Sequence, residues 1–210
     1  MSITKQELKK TWRNLKKQGL TDVVIEILAR DGAKGVTMDN VALAAGVAKG
    51  TLYAYFKDKQ DLLKAAIDSS VAPMVEELNA ILNEQASPDK IVRKFIERHL
   101  TYFEDHRSFF QILVYDRMMA QARLRRYKSC RYQDMLHSFA EVFERGMDQG
   151  LFRRADALKI AAMLIEANIA VINQRLLSPE PGPVQQDVSL LADVFLHGIC
   201  EPQTTLKVSS

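Results

Sequence analysis

The chain is poor in the residues that build crosslinked, metal-bound or membrane-embedded proteins. Only two cysteines occur in 210 residues, Cys130 and Cys200, far apart and without CxxC or zinc-site spacing, so neither a disulfide framework nor a zinc site is expected. A reducing, cytoplasmic compartment is the matching expectation. No stretch looks both long enough and free enough of charge to span a bilayer, and the first residues lack the apolar core of a signal peptide. Strand-period alternation and internal repeats are missing. The four histidines, His99, His106, His137 and His197, include no i, i+4 metal pair, and HExxH, GxSxG and GxGxxG do not occur. The run GVAKGT at 46–51 lacks the GK[ST] order of a phosphate loop and lies between helices instead of after a strand. Together these absences predict a protein that is not an enzyme, with no metal, no cofactor and no membrane partner.

What is present suits a helical, core-forming chain. Apolar residues make up 47% of it, enough to bury a substantial core in one or two domains. The net charge of +3 is modest, but its distribution is uneven: residues 1–70 hold 12 Lys and Arg against 8 Asp and Glu, which leaves a slight negative balance for the rest. The first twenty residues carry Lys5, Lys9, Lys10, Arg13, Lys16 and Lys17 against one acid, Glu7. Leu8, Trp12 and Leu15 at i, i+4 and i+7 favour at least partial helix there. Such a basic arm or helix, residues 1–20, fits either a solvated face or a contact with DNA phosphates or an adjacent minor groove.

Residues 37–59, TMDNVALAAGVAKGTLYAYFKDK, predict two short helices around a tight turn and the start of a third. Thr37 is placed to cap the first, with Asp39 in its first turn. Met38, Val41, Ala42 and Ala45 recur at the spacing of one buried face, and Gly46 ends the helix where a positive φ is commonly needed. On the next helix Leu52 and Phe56 share a side that predicts burial, which turns Gly50, Thr51 and Ala54 outward, with Tyr53 and Tyr55 at the edges and Lys49 in the first turn. Small residues at the centre let a backbone approach a groove floor, and hydroxyls and an ammonium at the rim reach phosphates. Pattern alone also fits a compact helical hairpin with solvated tyrosines.

Residues 32–63 resemble the N-terminal DNA-binding domain of TetR-family (TetR/AcrR-like) transcriptional regulators. The match lies at Gly32, Thr37, Val41, Ala42, Ala45, Gly46, Val47, Lys49, Gly50, Thr51, Leu52, Tyr53, Tyr55, Phe56, Lys59 and Leu62. The resemblance implies Thr37, Tyr55 and Lys59 for phosphate, Lys49, Thr51 and Tyr53 for base edges or nearby backbone, and Gly50 for close approach. Ala33, Ala48 and Ala54 depart from common family residues: an aromatic, a helix-capping serine and a larger reader. The implied fold is all-α, about nine helices, with a three-helix helix-turn-helix domain at 21–70, a ligand-binding and dimerisation domain at 71–202 and a frayed tail at 203–210.

Downstream of Pro73, where a break or kink is expected, everything reads helical. Ser87 and Pro88 form a cap and first-turn signal, and SPEPGP at 178–183 is a loop before a last helix. The final two helices offer more apolar surface than one layer of neighbours covers, with Met163, Ala167 and Ala170 on one and Leu191, Val194 and Phe195 on the other. The internal core of a monomer would use such surface; in the resembled family it forms a four-helix dimer interface. Large apolar bodies with polar tips suggest a cavity for a small effector: His99, Tyr102, Phe103, Phe110 and Tyr115, then Met118, Met119, Tyr127 and Phe139. A basic run, Arg117 to Arg131, is a solvated helix face or an attractor for an anionic ligand such as an acyl-coenzyme A. The function implied is a homodimeric, ligand-responsive repressor that binds a pseudo-palindromic operator in double-stranded DNA. The competing class is a helical ligand-sensing or protein-interaction dimer without DNA.

Overall fold

The computed structural model describes residues 5–115 and 130–199, and every regular element among them is an α-helix. There are nine: α1 (Lys5–Gly35), α2 (Met38–Ala44), α3 (Lys49–Tyr53), α4 (Lys59–Leu82), α5 (Pro88–Asp105), α6 (Arg107–Tyr115), α7 (Cys130–Asp148), α8 (Ala157–Leu177) and α9 (Val184–Ile199). Contacts divide the chain into two compact units, Met1–Pro73 with His106–Arg125, and Met74–Asp105 with Arg126–Ser210.

In the first unit the basic N-terminal stretch is helix from Lys5 onward, continuous with the first domain helix and broken only near its end, where Gly32 takes φ 67°. Trp12 and Leu15, 59% and 60% exposed, lie outside the core, and the buried stripe begins with Leu20, Val24, Ile27 and Leu28. Met38, Val41 and Ala42 of α2, Leu52 and Phe56 around α3, and Leu62, Leu63, Ala66 and Ile67 of α4 complete a core to which α6 adds Phe110. Each such large side chain contributes about 1.5–3 kcal/mol on burial. α6 packs on α1, so a segment expected in a continuous domain at 71–202 joins the first unit. The expected break at Pro73 is also absent: α4 runs through that residue, although the division between units falls there.

The second unit is a layered helical bundle. α5 buries Ile91, Val92, Phe95, Ile96, His99 and Leu100 along one face, against the Phe139 and Phe143 face of α7, and it also packs on α8 and α9. Asp156 caps α8 by accepting the Lys159 N–H at 3.0 Å. Gly146 has no Cβ because the Phe152 ring lies where one would be, 2.1 Å from the nearest ring carbon. Arg175, 5% exposed, closes the loop between α8 and α9. It donates to Glu104 at 2.9 and 3.1 Å, to Asp187, and to the carbonyls of Pro181 and Gly182 at 3.4 and 3.0 Å. Burial opposes the charge of Arg175, yet its carboxylate partners hold its pKa above the usual arginine value.

One expectation is corrected by α8. With a mean hydropathy of 1.3 in its most apolar window, Ala157–Leu177 is long and apolar enough to cross a membrane by length and composition. The buried Asn168, whose side-chain amide donates to the Leu164 carbonyl at 3.0 Å, and the buried, ion-paired Arg175 mark it instead as a helix packed against α5, α7 and α9.

Candidate nucleic-acid interface

The site is built from α2, the turn after it, and α3. Thr37 adopts an extended conformation (φ −127°, ψ 155°), and its hydroxyl oxygen accepts the Asn40 N–H at 3.1 Å. A hydroxyl keeps its own proton while accepting, so Thr37 can cap the helix and donate to an anion at once. Gly46 takes φ 64°, and the turn closes with Gly46 N–H to Leu43 O at 3.1 Å and Val47 N–H to Ala42 O at 3.0 Å. This pair of hydrogen bonds around a left-handed residue ends α2 and sets the start of α3.

α3 starts at Ala48 with no side-chain cap, as its alanine predicts. The helical bonding extends past Tyr53, through Ala54 N–H to Gly50 O and Phe56 N–H to Leu52 O, so the predicted register holds to Phe56. Leu52 and Phe56 are buried, whereas Gly50, Thr51, Tyr53 and Ala54 are exposed. A Cβ added at Gly50 would meet nothing within 4 Å. The surface is therefore open at its centre and aromatic at its edge.

The two lysines have partners that sequence reasoning missed. The Lys49 ammonium lies 2.7 Å from Asp39 Oδ1, tying the first residue of α3 to the first turn of α2. The hydrogen bond and charge of Asp39 raise the Lys49 pKa above its usual value. The Lys59 ammonium donates to the Ala33 carbonyl at 2.8 Å, across 26 residues of sequence. An ammonium has three donors, so each lysine retains hydrogens for a phosphate. Around Lys59 the start of α4 is capped twice, by Asp58 accepting the Asp61 N–H at 2.9 Å and Asp61 accepting the Lys57 N–H at 3.1 Å. Tyr55 is half-buried beneath Arg13, whose guanidinium carbon lies 6.0 Å from the ring centroid, and Lys17 stands 5.5 Å from the centroid of Phe56.

The residues predicted to hold an effector are dispersed. His99, Tyr102, Phe103 and Phe139 lie in the core of the second unit, where His99 sits edge-on between Phe95 and Phe103 at 5.7 and 5.8 Å and Phe95 meets Phe139 at 4.3 Å. Burial, reinforced by the charge of Glu77, raises the Tyr102 pKa above its ordinary value although Arg98 opposes the shift. Phe110 and Tyr115 belong to α6, in the first unit. Met118, Met119 and Tyr127, like most of the basic run, fall outside the described residues. A cavity of about 290 Å³ lies elsewhere, between α1 and α4, and is lined by polar side chains of both charges.

Of the residues predicted at a subunit contact, Met163 and Val194 are 63% and 61% exposed, Ala170 is exposed, and Ala167 and Phe195 are half-buried. Leu191 is corrected: at 8% exposure it serves the core of its own chain, and its neighbour Leu190, 64% exposed, faces outward in its place. Leu177 at 53% continues the outward stripe of α8.

Comparison with known proteins bears on both units. Residues 20–66 match the sequence model of the family described as bacterial regulatory proteins, tetR family, and residues 88–178 match that of the tetracyclin repressor-like C-terminal domain. The chain is similar to an HTH-type transcriptional regulator of Staphylococcus aureus (strain MRSA252), 23% identical over 128 residues, or 61% of this chain and 67% of that one. It is also similar to the fatty acid metabolism regulator protein of Bacillus subtilis (strain 168), 21% identical over 150 residues, covering 71% and 77%. Among solved structures, SmeT, the repressor of the Stenotrophomonas maltophilia multidrug efflux pump SmeDEF, shares the fold with a TM-score of 0.68 and 23% identity, over 92% of this chain and 94% of that one.

Proposed function

This chain belongs to the TetR family of bacterial transcriptional regulators, and from that premise we propose a ligand-responsive repressor that binds a pseudo-palindromic operator as a homodimer in the cytoplasm. The observation that carries the DNA reading is the two-sidedness of α3, with Leu52 and Phe56 buried and Gly50, Thr51, Tyr53 and Ala54 turned to solvent. Thr37, Tyr55 and Lys59 hold phosphate, Gly50 allows the backbone close to the groove floor, and Lys49, Thr51 and Tyr53 meet base edges or the adjacent backbone. One short helix reads few base pairs, so a second copy supplies the second half-site at whole-turn spacing. The exposed apolar stripe of Met163, Ala170, Leu177, Leu190 and Val194 supports that pairing. Effector binding, by a small and largely apolar molecule, favours a dimer conformation with the reading helices wrongly spaced, and it shifts operator affinity only by its differential affinity for the two states.

The test is a mobility-shift titration with duplex from the region upstream of its own gene, for the wild type and Gly50→Leu. Wild type is expected to retard the duplex with steep salt dependence. Because the space at Gly50 is open, Gly50→Leu should keep its helix content and melting temperature and lose the shift. Undiminished affinity in that variant would overturn the assignment.

A further inference from the structure

Between Thr37 and Phe56 the sequence holds one acid, Asp39, and one base, Lys49. The fold brings the two together: Lys49 Nζ lies 2.7 Å from Asp39 Oδ1, with the side chains 52% and 72% exposed. Stability does not account for this pairing, since exposed ion pairs contribute little. The turn it spans is already closed by the backbone bonds around Gly46, and α2 is already capped by Thr37. The pair stands where the first turns of α2 and α3 meet, beside Gly50, at which an added Cβ would meet nothing within 4 Å. A reading helix meets base edges with its N-terminal residues, and Lys49 is the first residue of α3.

We propose that Asp39 is a specificity-determining residue, which with Lys49 forms one donor–acceptor unit that selects a G·C base pair in a single orientation. This rests on the DNA reading of α3 above and adds to it an acid that reading leaves out. In the major groove guanine offers two acceptors, O6 and N7, and cytosine offers its N4 amino donor. Of the three ammonium hydrogens of Lys49, one serves Asp39 and two remain for guanine, while the second carboxylate oxygen accepts from cytosine. The spacing agrees: O6 and N4 are hydrogen-bonded to each other at about 2.9 Å, close to the 2.7 Å between Nζ and Oδ1. Reversing the base pair sets the carboxylate against O6 and N7, acceptor on acceptor. An A·T pair puts the thymine methyl beside the O4 acceptor. The unit is also neutral, so it adds little to the attraction between the protein and DNA of any sequence.

Full-length wild type, Asp39→Ala, Lys49→Ala and the double variant, each checked for fold by circular dichroism, select duplexes from a randomised double-stranded pool, and the bound fraction is sequenced. The wild type should show a G·C pair of fixed orientation at one position in each half-site. In its preferred duplex, converting that pair to A·T or reversing it should weaken binding about tenfold or more. Asp39→Ala should lose the preference at that position and keep it at the others. It should also bind a scrambled duplex more tightly, with a slope of log affinity against log salt steeper by up to about one, because a negative charge has left the DNA face. Since Asp39 acts together with Lys49, the double variant should discriminate at that position no worse than Lys49→Ala alone. An Asp39→Ala variant that selects the wild-type sequence unchanged, or that loses preference evenly at every position, would overturn the proposal and leave the regulator reading intact. A wild type that retains no duplex from the pool would overturn both.

Discussion

Replacing Arg175 with methionine removes a buried cation while keeping much of its apolar stem, and the structure supports a numerical expectation. The side chain is 5% exposed and makes bonds to two carboxylates and two carbonyls. Hydrogen bonds involving charged groups contribute about 1.5–3 kcal/mol each, which would suggest a very large loss. The partners moderate it: the side chains of Glu104 and Asp187 remain 30% and 32% exposed, so water can solvate them once the guanidinium is gone. A net cost of about 3 kcal/mol is therefore expected, at the low end for breaking a buried pair. For a chain of this size that lowers the melting temperature by about 6–12 °C. Thermal and urea unfolding at pH 7 measure it. The loss should be nearly equal at low and high salt, because a buried pair is weakly screened. Arg175→Lys keeps the charge but not the fork that spans Glu104 and the loop carbonyls, so it should recover less than half. A methionine variant as stable as the wild type would refute this account of the α8–α9 loop.

Gly146→Ala should destabilise by about 1–2 kcal/mol, since overpacking against the buried Phe152 ring exceeds the gain in helix propensity; unfolding in urea would show the sign. Asp156 has its pKa lowered chiefly by the Lys159 backbone N–H it accepts, so its capping contribution is present above the ordinary carboxylate pKa and lost as pH falls through the lowered one. The melting-temperature gap between wild type and Asp156→Ala should therefore be full at neutral pH and close below about pH 4; a gap independent of pH would count against the cap. Met163→Glu with Val194→Glu, at positions exposed in the single chain, should leave a folded monomer by light scattering with much weaker operator binding. A dimer of unchanged mass would remove those faces from the interface.

The helix-turn-helix was legible because its rules are local. Thr37 three residues before its bonded amide, Gly46 at positive φ and the Leu52/Phe56 pair all act within a few residues of sequence. What sequence reasoning missed was joined across distance: Lys59 to Ala33, Arg13 to Tyr55, α6 to α1. Leu190 and Leu191 show the limit of periodicity. On a helix apolar over most of its circumference, neighbouring leucines satisfy the same pattern, and only the packing of α9 on α5 and α8 decides which one turns inward. Arg175 left a usable signal, a lone cation near the end of an apolar helix, followed after the loop by Asp187. A charge in such a place needs a partner.

The bond from Lys59 to the Ala33 carbonyl has a consequence for genetics. A selection for variants that fold but no longer silence a target gene will return substitutions at Gly50 or Thr51, positions that face open solvent. Changes at Lys59 will be scarce among the survivors, however important the residue is to DNA, because the same ammonium fastens the end of α1 to the start of α4. A map drawn from that selection alone would leave a hole at position 59, and the hole would mark a residue with two employments.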